Sequence, residues 1–215
     1  MATIPLSESL VIDGPAGRLE GLLETPRDAA PRGIAVVCHP HPLHQGTMHN
    51  KVVHTLGRAF AACGMGALRF NFRGVGASEG SFDDGPGEMA DALAAAREGR
   101  RRVPEGPLWL AGFSFGAAIA IGAAAELEAD GLVTVAPAVA RVAGMDRVAP
   151  RCPWLVIQGD QDELVNVDDT VAWVNSLDPG PELQVFPDTG HFFHGKLVEL
   201  RKAVEAFVRE IPPGG

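Results

Sequence analysis

The segment Gly112-Phe113-Ser114-Phe115-Gly116 sets a serine hydroxyl between two glycines. An apolar run, Leu108-Trp109-Leu110-Ala111, precedes it, and an alanine-rich run follows. G-x-S-x-G between a strand and a helix marks a sharp turn that lifts a serine above a sheet as a nucleophile. A side chain at either glycine would collide with backbone in so tight a turn. A serine hydroxyl attacks only when a base takes its proton. Of the histidines, His191 lies in Pro187-Asp188-Thr189-Gly190-His191-Phe192-Phe193, between the last strand-like run and the closing helix. A third group must accept a hydrogen bond from that imidazole and stabilise its charged form. The loop Gly159-Asp160-Gln161-Asp162-Glu163 offers three carboxylates, and residue type alone does not choose among them. The chemistry these parts fit is acyl transfer.

Acyl transfer also needs backbone N–H donors aimed at the developing oxyanion. One expected donor is the amide of Phe115, at the start of a helix whose dipole favours negative charge. The second is expected from Cys38-His39-Pro40-His41-Pro42-Leu43-His44. Pro40 and Pro42 have no N–H, so His41 is the expected donor and Leu43 the reserve. The prolines also stiffen the loop. Five histidines between His39 and His54 invite a zinc reading. No cysteine or carboxylate accompanies them within the loop and prolines fix its backbone, so no metal site is expected.

The elements that must position these residues follow from apolar patterning. Two short runs around Asp13-Gly14-Pro15 read as a hairpin. Strands are expected at 33–38, 67–72, 108–112, 132–136, 154–158 and 183–186, and helices at 50–62, 88–102, 115–125 and 196–209. Continuous apolar strands alternating with helices indicate a mostly parallel sheet covered on both faces. The expected fold class is α/β, a three-layer α/β/α sandwich with an antiparallel N-terminal edge. Function in such a sheet sits in loops at the carboxyl ends of the strands. The chain reads as one domain over 1–215, with a frayed tail at Pro212–Gly215.

Composition narrows the partners. A formal net charge of −9 speaks against a nucleic-acid partner. The run Arg100-Arg101-Arg102 suits a solvated helix C-terminus. No apolar stretch is long enough to span a membrane, and the N-terminus shows no secretion signal. Three cysteines, Cys38, Cys63 and Cys152, suggest buried thiols in a reducing compartment rather than disulfides. A cytoplasmic protein is expected.

The blocks HPHPLHQGTMHNKVV, RFNFRGVGASEG, GFSFGA, GDQDELV and GHFF, taken in this order, resemble the α/β-hydrolase superfamily. The likeness is to compact bacterial serine hydrolases near the dienelactone-hydrolase-like and short-chain esterase groups. It implies an acid loop of the form G-x-x-D-x-x-V, matched by Gly159, Asp162 and Val165, and so makes Asp162 the triad acid. It also implies that the turn Arg73-Gly74-Val75-Gly76 lies beside the site. Two departures stand out. His39-Pro40 replaces the His-Gly of many relatives, and Ser114 occupies the position that dienelactone hydrolases fill with cysteine.

Only residues 137–152 separate two expected strands where many relatives insert a helical cap. An open, capless site is therefore expected, suited to small or exposed esters and needing no cofactor. Leu43, Phe113 and Phe192 are candidate substrate-binding residues, and Phe72, Phe82 and Phe193 lie near enough in sequence to line an acyl pocket. The same triad could serve a thioesterase or small peptidase, and a catalytically idle binding fold is the alternative from another class.

Overall fold

The computed structural model describes residues 4–142 and 150–211. The expected frayed tail, Pro212–Gly215, lies outside the described residues. Eight strands form one sheet: β1 (Leu6–Gly14), β2 (Gly17–Thr25), β3 (Ile34–Cys38), β4 (Gly66–Phe70), β5 (Leu108–Phe113), β6 (Gly131–Val135), β7 (Trp154–Gly159) and β8 (Glu182–Phe186). Their order across the sheet is β1-β2-β4-β3-β5-β6-β7-β8. The β1–β2 hairpin joins antiparallel at one edge, and all pairings from β4 to β8 are parallel.

Every residue of β3 through β7 is buried, because helices cover both faces. The helices are α1 (Lys51–Ala62), α2 (Pro86–Arg102), α3 (Phe115–Glu126), α4 (Val139–Val142), α5 (Val167–Asn175) and α6 (Leu197–Glu210). Successive strand residues point to opposite faces. Thus Ile34, Val36, Leu110 and Val156 join a core that includes residues of α2 and α3. Ala35, Val37, Ala111 and Ile157 join one built with α1 and α6. The amphipathic spacing of Val52, Val53, Leu56, Ala59 and Phe60 directs one stripe of α1 onto the sheet. Asn50 caps that helix, its side-chain oxygen accepting from the amides of Val52 and Val53.

Two details differ from the sequence expectation. The strand expected to run to Phe72 ends at Phe70. Asn71 and Phe72 turn aside: the Asn71 side chain donates to Glu20, and the Phe72 amide donates to the His39 imidazole. Helix α5 carries little sequence signal, since Val167, Thr170, Val171 and Val174 are β-branched and Asp168 and Asp169 favour caps and turns. Tertiary packing of Thr170 and Val174, the residues it buries, selects the helix, with Asn166 as its cap. Among the described residues no cap domain is present; between β6 and β7 the described residues, 136–142 and 150–153, hold only the single turn of α4. Among them too, no helix is long and apolar enough to cross a membrane.

The sheet edge also buries an ion pair. Arg69 Nε and Nη2 lie 3.2 and 3.1 Å from Glu24 Oε2, and Nη1 donates to the Met48 carbonyl at 2.6 Å. Both side chains are almost inaccessible. Removing one partner of a buried pair strands the other charge. Arg69→Met should lower unfolding free energy by about 3–5 kcal/mol. Adding Glu24→Leu should recover part of that loss, as read from urea midpoints of the single and double variants.

Candidate active site

The parallel strands bring the loops after β3, β4, β5, β6, β7 and β8 to one edge of the sheet. At the end of β5 the backbone makes the sharp turn that the sequence predicts. Ser114 adopts φ 55° and ψ −116°, a conformation that costs roughly 1–3 kcal/mol for a non-glycine residue. It is held there by its own backbone. Its amide donates to the Val135 carbonyl at 2.9 Å, and its carbonyl accepts from the amides of Ala117, Ala118 and Ala138. The flanking glycines are demanded by contact. A Cβ on Gly112 would sit 2.2 Å from the Gly116 carbonyl oxygen, and one on Gly116 would sit 2.3 Å from the His39 carbonyl oxygen.

His191 and Asp162 come together from the loops after β8 and β7. Nδ1 of His191 lies 2.8 Å from Oδ2 and 3.0 Å from Oδ1 of Asp162, and both side chains are essentially buried. Burial pushes the Asp162 carboxyl up. Hydrogen bonds from His191 and from the amides of Val165 and Leu164 outweigh that, and the net shift is downward. The carboxylate is therefore charged at neutral pH, and it fixes the imidazole proton on Nδ1. The ring packs 5.0 Å from that of Phe113, the residue before Ser114.

Residues around the triad hold this pair, Gln158 and Thr170 among them unmarked by the motif reading. Gln158, the fully buried penultimate residue of β7, donates from Nε2 to Asp162 Oδ2 at 3.0 Å and to the Val165 carbonyl at 3.1 Å. Thr170 of α5 donates to its Oε1 at 3.4 Å. Glu163 accepts from the His191 amide at 3.1 Å, and Asp160 accepts from the Thr189 amide at 3.2 Å. The three carboxylates of the loop thus take different tasks: Asp162 meets the imidazole while Asp160 and Glu163 fasten the histidine loop. The signal for Gln158 was a polar residue closing an otherwise apolar strand, since a buried polar group must find partners.

The loop after β3 separates its histidines. His39 is buried; its Nε2 accepts from the Phe72 amide at 3.0 Å and its Nδ1 donates to the Pro40 carbonyl at 2.6 Å. Burial lowers its pKa to about 4, so it is neutral, and both ring nitrogens are engaged by backbone. His41 is half-buried, its ring 5.0 Å from Phe115 and 4.9 Å from Phe82. Its amide has no acceptor among the described residues. The Leu43 amide, the reserve donor, is already taken by His41 Nδ1 at 3.3 Å. Among the described residues no group of three or more histidines, cysteines and carboxylates is placed to hold a metal.

The aromatic and aliphatic candidates divide. Phe113 is fully buried beneath His191 and offers no surface to a substrate, which corrects its assignment to binding; Phe72 and Phe193 are equally buried. Phe192 and Leu43 are exposed, and Phe82 is partly buried. The turn expected beside the site is tied to α2, where Arg73 Nε and Nη2 bond Asp91 at 3.0 and 2.8 Å. Cys38 and Cys63 are buried and Cys152 is half-buried; none is bonded to another, and burial raises all three thiols.

The family described as serine aminopeptidase, S33, matches residues 29–151, a span that contains the elbow. An α/β serine hydrolase without lid from Xanthomonas campestris is 44% identical, with 97% of this chain and 96% of that chain covered and a TM-score of 0.91. An α/β serine hydrolase homologue from Coxiella burnetii is 42% identical, covering 93% and 96%, with a TM-score of 0.87. An uncharacterised protein of Rickettsia prowazekii is 36% identical over 210 residues, 93% of this chain and 87% of its own. The chain belongs to this serine-hydrolase family.

Two outcomes follow from the site's packing. Gln158→Leu removes a donor from a buried carboxylate, and a hydrogen bond to a charged group is worth about 1.5–3 kcal/mol. Hydrolytic turnover by that variant should show kcat reduced at least about tenfold with KM little changed. His39 supplies the second outcome. Its folded pKa lies below the ordinary value of about 6.5, so between pH 6.5 and 4 the unfolded chain binds more protons and stability falls with pH. His41 and His54, also lowered mainly by burial, act in the same sense. From His39 alone, wild-type unfolding free energy should drop by up to about 1.4 kcal/mol per pH unit as pH is lowered across that window. His39→Asn should flatten the slope of urea midpoint against pH.

Proposed function

With this family membership as premise, we propose that the protein is a carboxylic-ester hydrolase acting through Ser114, His191 and Asp162. The observation that carries the reading is the buried Asp162–His191 pair packed on Phe113, the residue before a serine in a strained strand-to-helix turn. Asp162 accepts from Nδ1–H, which leaves Nε2 of His191 as the basic nitrogen. In the first half-reaction Nε2 takes the Ser114 proton while Oγ adds to the ester carbonyl. The tetrahedral adduct collapses as His191 returns that proton to the departing alcohol, leaving an acyl group on Ser114. Water, deprotonated by the same nitrogen, then adds to the acyl carbonyl. Collapse releases the carboxylic acid and restores the hydroxyl.

The oxyanion is assigned to the amides of Phe115 and His41. Phe115 opens α3, so its N–H has no carbonyl in the preceding turn to bond. His41 has an unoccupied amide and sits in a loop fastened by the buried His39. Each such donor contributes roughly 3–4 kcal/mol to the transition state. No step calls for a cofactor. The absence of a cap among the described residues favours small or exposed esters over long acyl chains.

Hydrolysis of p-nitrophenyl acetate, butyrate and octanoate tests the reading. Turnover should favour the shorter acyl groups, vanish in Ser114→Ala and fall by about 10⁴ in Asp162→Asn, whose amide holds the wrong tautomer. A fluorophosphonate probe should label Ser114. Activity that survives Ser114→Ala, or faster cleavage of alanine p-nitroanilide than of any ester, would refute the assignment.

A further inference from the structure

The mouth of the site carries a cation with no task in the steps above. Arg141 belongs to the single turn of α4, directly after β6. The Arg141 amide bonds the Ala138 carbonyl, and the Ala138 amide bonds the Ser114 carbonyl, so this turn is fixed to the elbow. The guanidinium carbon lies 5.1 Å from the centroid of the Phe115 ring. Nη1 donates to Asp84 Oδ1 at 2.8 Å, a pair exposed enough to contribute only about 0–1 kcal/mol and to exchange readily with another carboxylate.

On its other side Nη2 lies 3.4 Å from Nε2 of His41. A neutral imidazole has one acceptor nitrogen and one N–H. The His41 acceptor, Nδ1, already faces the Leu43 amide at 3.3 Å. Its proton therefore sits on Nε2, and Nε2–H and the Arg141 N–H point at one another with no acceptor between them. The opposite tautomer would only move the conflict to Leu43. Burial and the neighbouring His44 and Arg141 lower the His41 pKa, which keeps the ring neutral and this conflict in place.

We infer that Arg141 and His41 Nε2 form a subsite for a carboxylate borne by the substrate, so that the preferred esters are anionic. A carboxylate oxygen placed between the two donors accepts from both, and Arg141 can present a second N–H to the other oxygen in the usual forked geometry. The subsite lies over Phe115, next to the reacting serine, where such a charge would orient the ester carbonyl. It rests on the esterase reading and narrows its substrate class.

The test compares each anionic ester with its own methyl ester. Mono-p-nitrophenyl adipate places the charge on the acyl side, and 4-acetoxybenzoate places it on the alcohol side. Wild type should favour the anion in at least one pair, and Arg141→Gln should cut that kcat/KM ratio about tenfold or more. Arg141→Lys should retain part of it. Because the ratio is read within each variant, a general loss of activity cancels. Binding of glutarate, followed by NMR titration of wild type and Arg141→Gln, reads the subsite without turnover. Saturable binding that needs Arg141 supports the inference. Neutral-ester turnover with ratios unmoved by Arg141→Gln overturns it and leaves the esterase reading intact. Arg141-dependent glutarate binding without any ester turnover would bring down the esterase reading alone. Absence of glutarate binding to wild type overturns the subsite whatever the assays give.

Discussion

The contact between the first turn of α3 and the ends of β3 and β5 constrains everything near the site. Gly112 and Gly116 let three stretches of backbone approach within distances that no Cβ permits. Nearly all of α3 is buried, and its residues are mostly alanine, glycine and isoleucine, so a helix can lie in a space that larger side chains would fill. The strained dihedrals of Ser114 are the consequence. The hydrogen bonds from the Ser114 amide to the Val135 carbonyl, and from the Ala117, Ala118 and Ala138 amides to the Ser114 carbonyl, over-determine that conformation and keep the hydroxyl at the sheet edge.

Around this contact, buried polar groups define the loops. His39 ties the loop after β3 to the end of β4 through the Phe72 amide. Gln158 and Thr170 brace Asp162 from β7 and α5. Asp91 grips Arg73 through its backbone amide and guanidinium together. None of these groups is left unsatisfied among the described residues. Each fixes a loop that would otherwise be held only by apolar contact, which is non-directional and does not set angles. A short loop locked by directional bonds is a suitable platform for donors that must not reorganise during reaction.

Among the described residues no cap covers the site, so its rim is open. The groups at this mouth include the exposed Phe192, the partly buried Phe82, and Arg141 with its neighbour His41. The protein as a whole is acidic, so a cation placed over Phe115 stands out against its surroundings.

The fold class was legible in the sequence because strands buried on both faces must be apolar throughout and helices must carry a stripe, and both patterns are linear properties of the chain. The serine between its glycines was legible for the same reason: a contact made within five residues leaves a local trace. Helix α5 was not, since packing of Thr170 and Val174 overrides weak propensities. Nor could residue types choose among Asp160, Asp162 and Glu163; likeness to a family singled out Asp162, and the fold sets it against His191. Phe113 looked like a pocket residue and is a buried support, because which side of a turn a ring occupies depends on elements far away in sequence. The side-chain contacts of Gln158, Glu163 and Arg141 described above are with neighbours 4 to 100 positions distant. Such pairings exist only once the sheet has gathered its loop ends, so tertiary structure alone decides them.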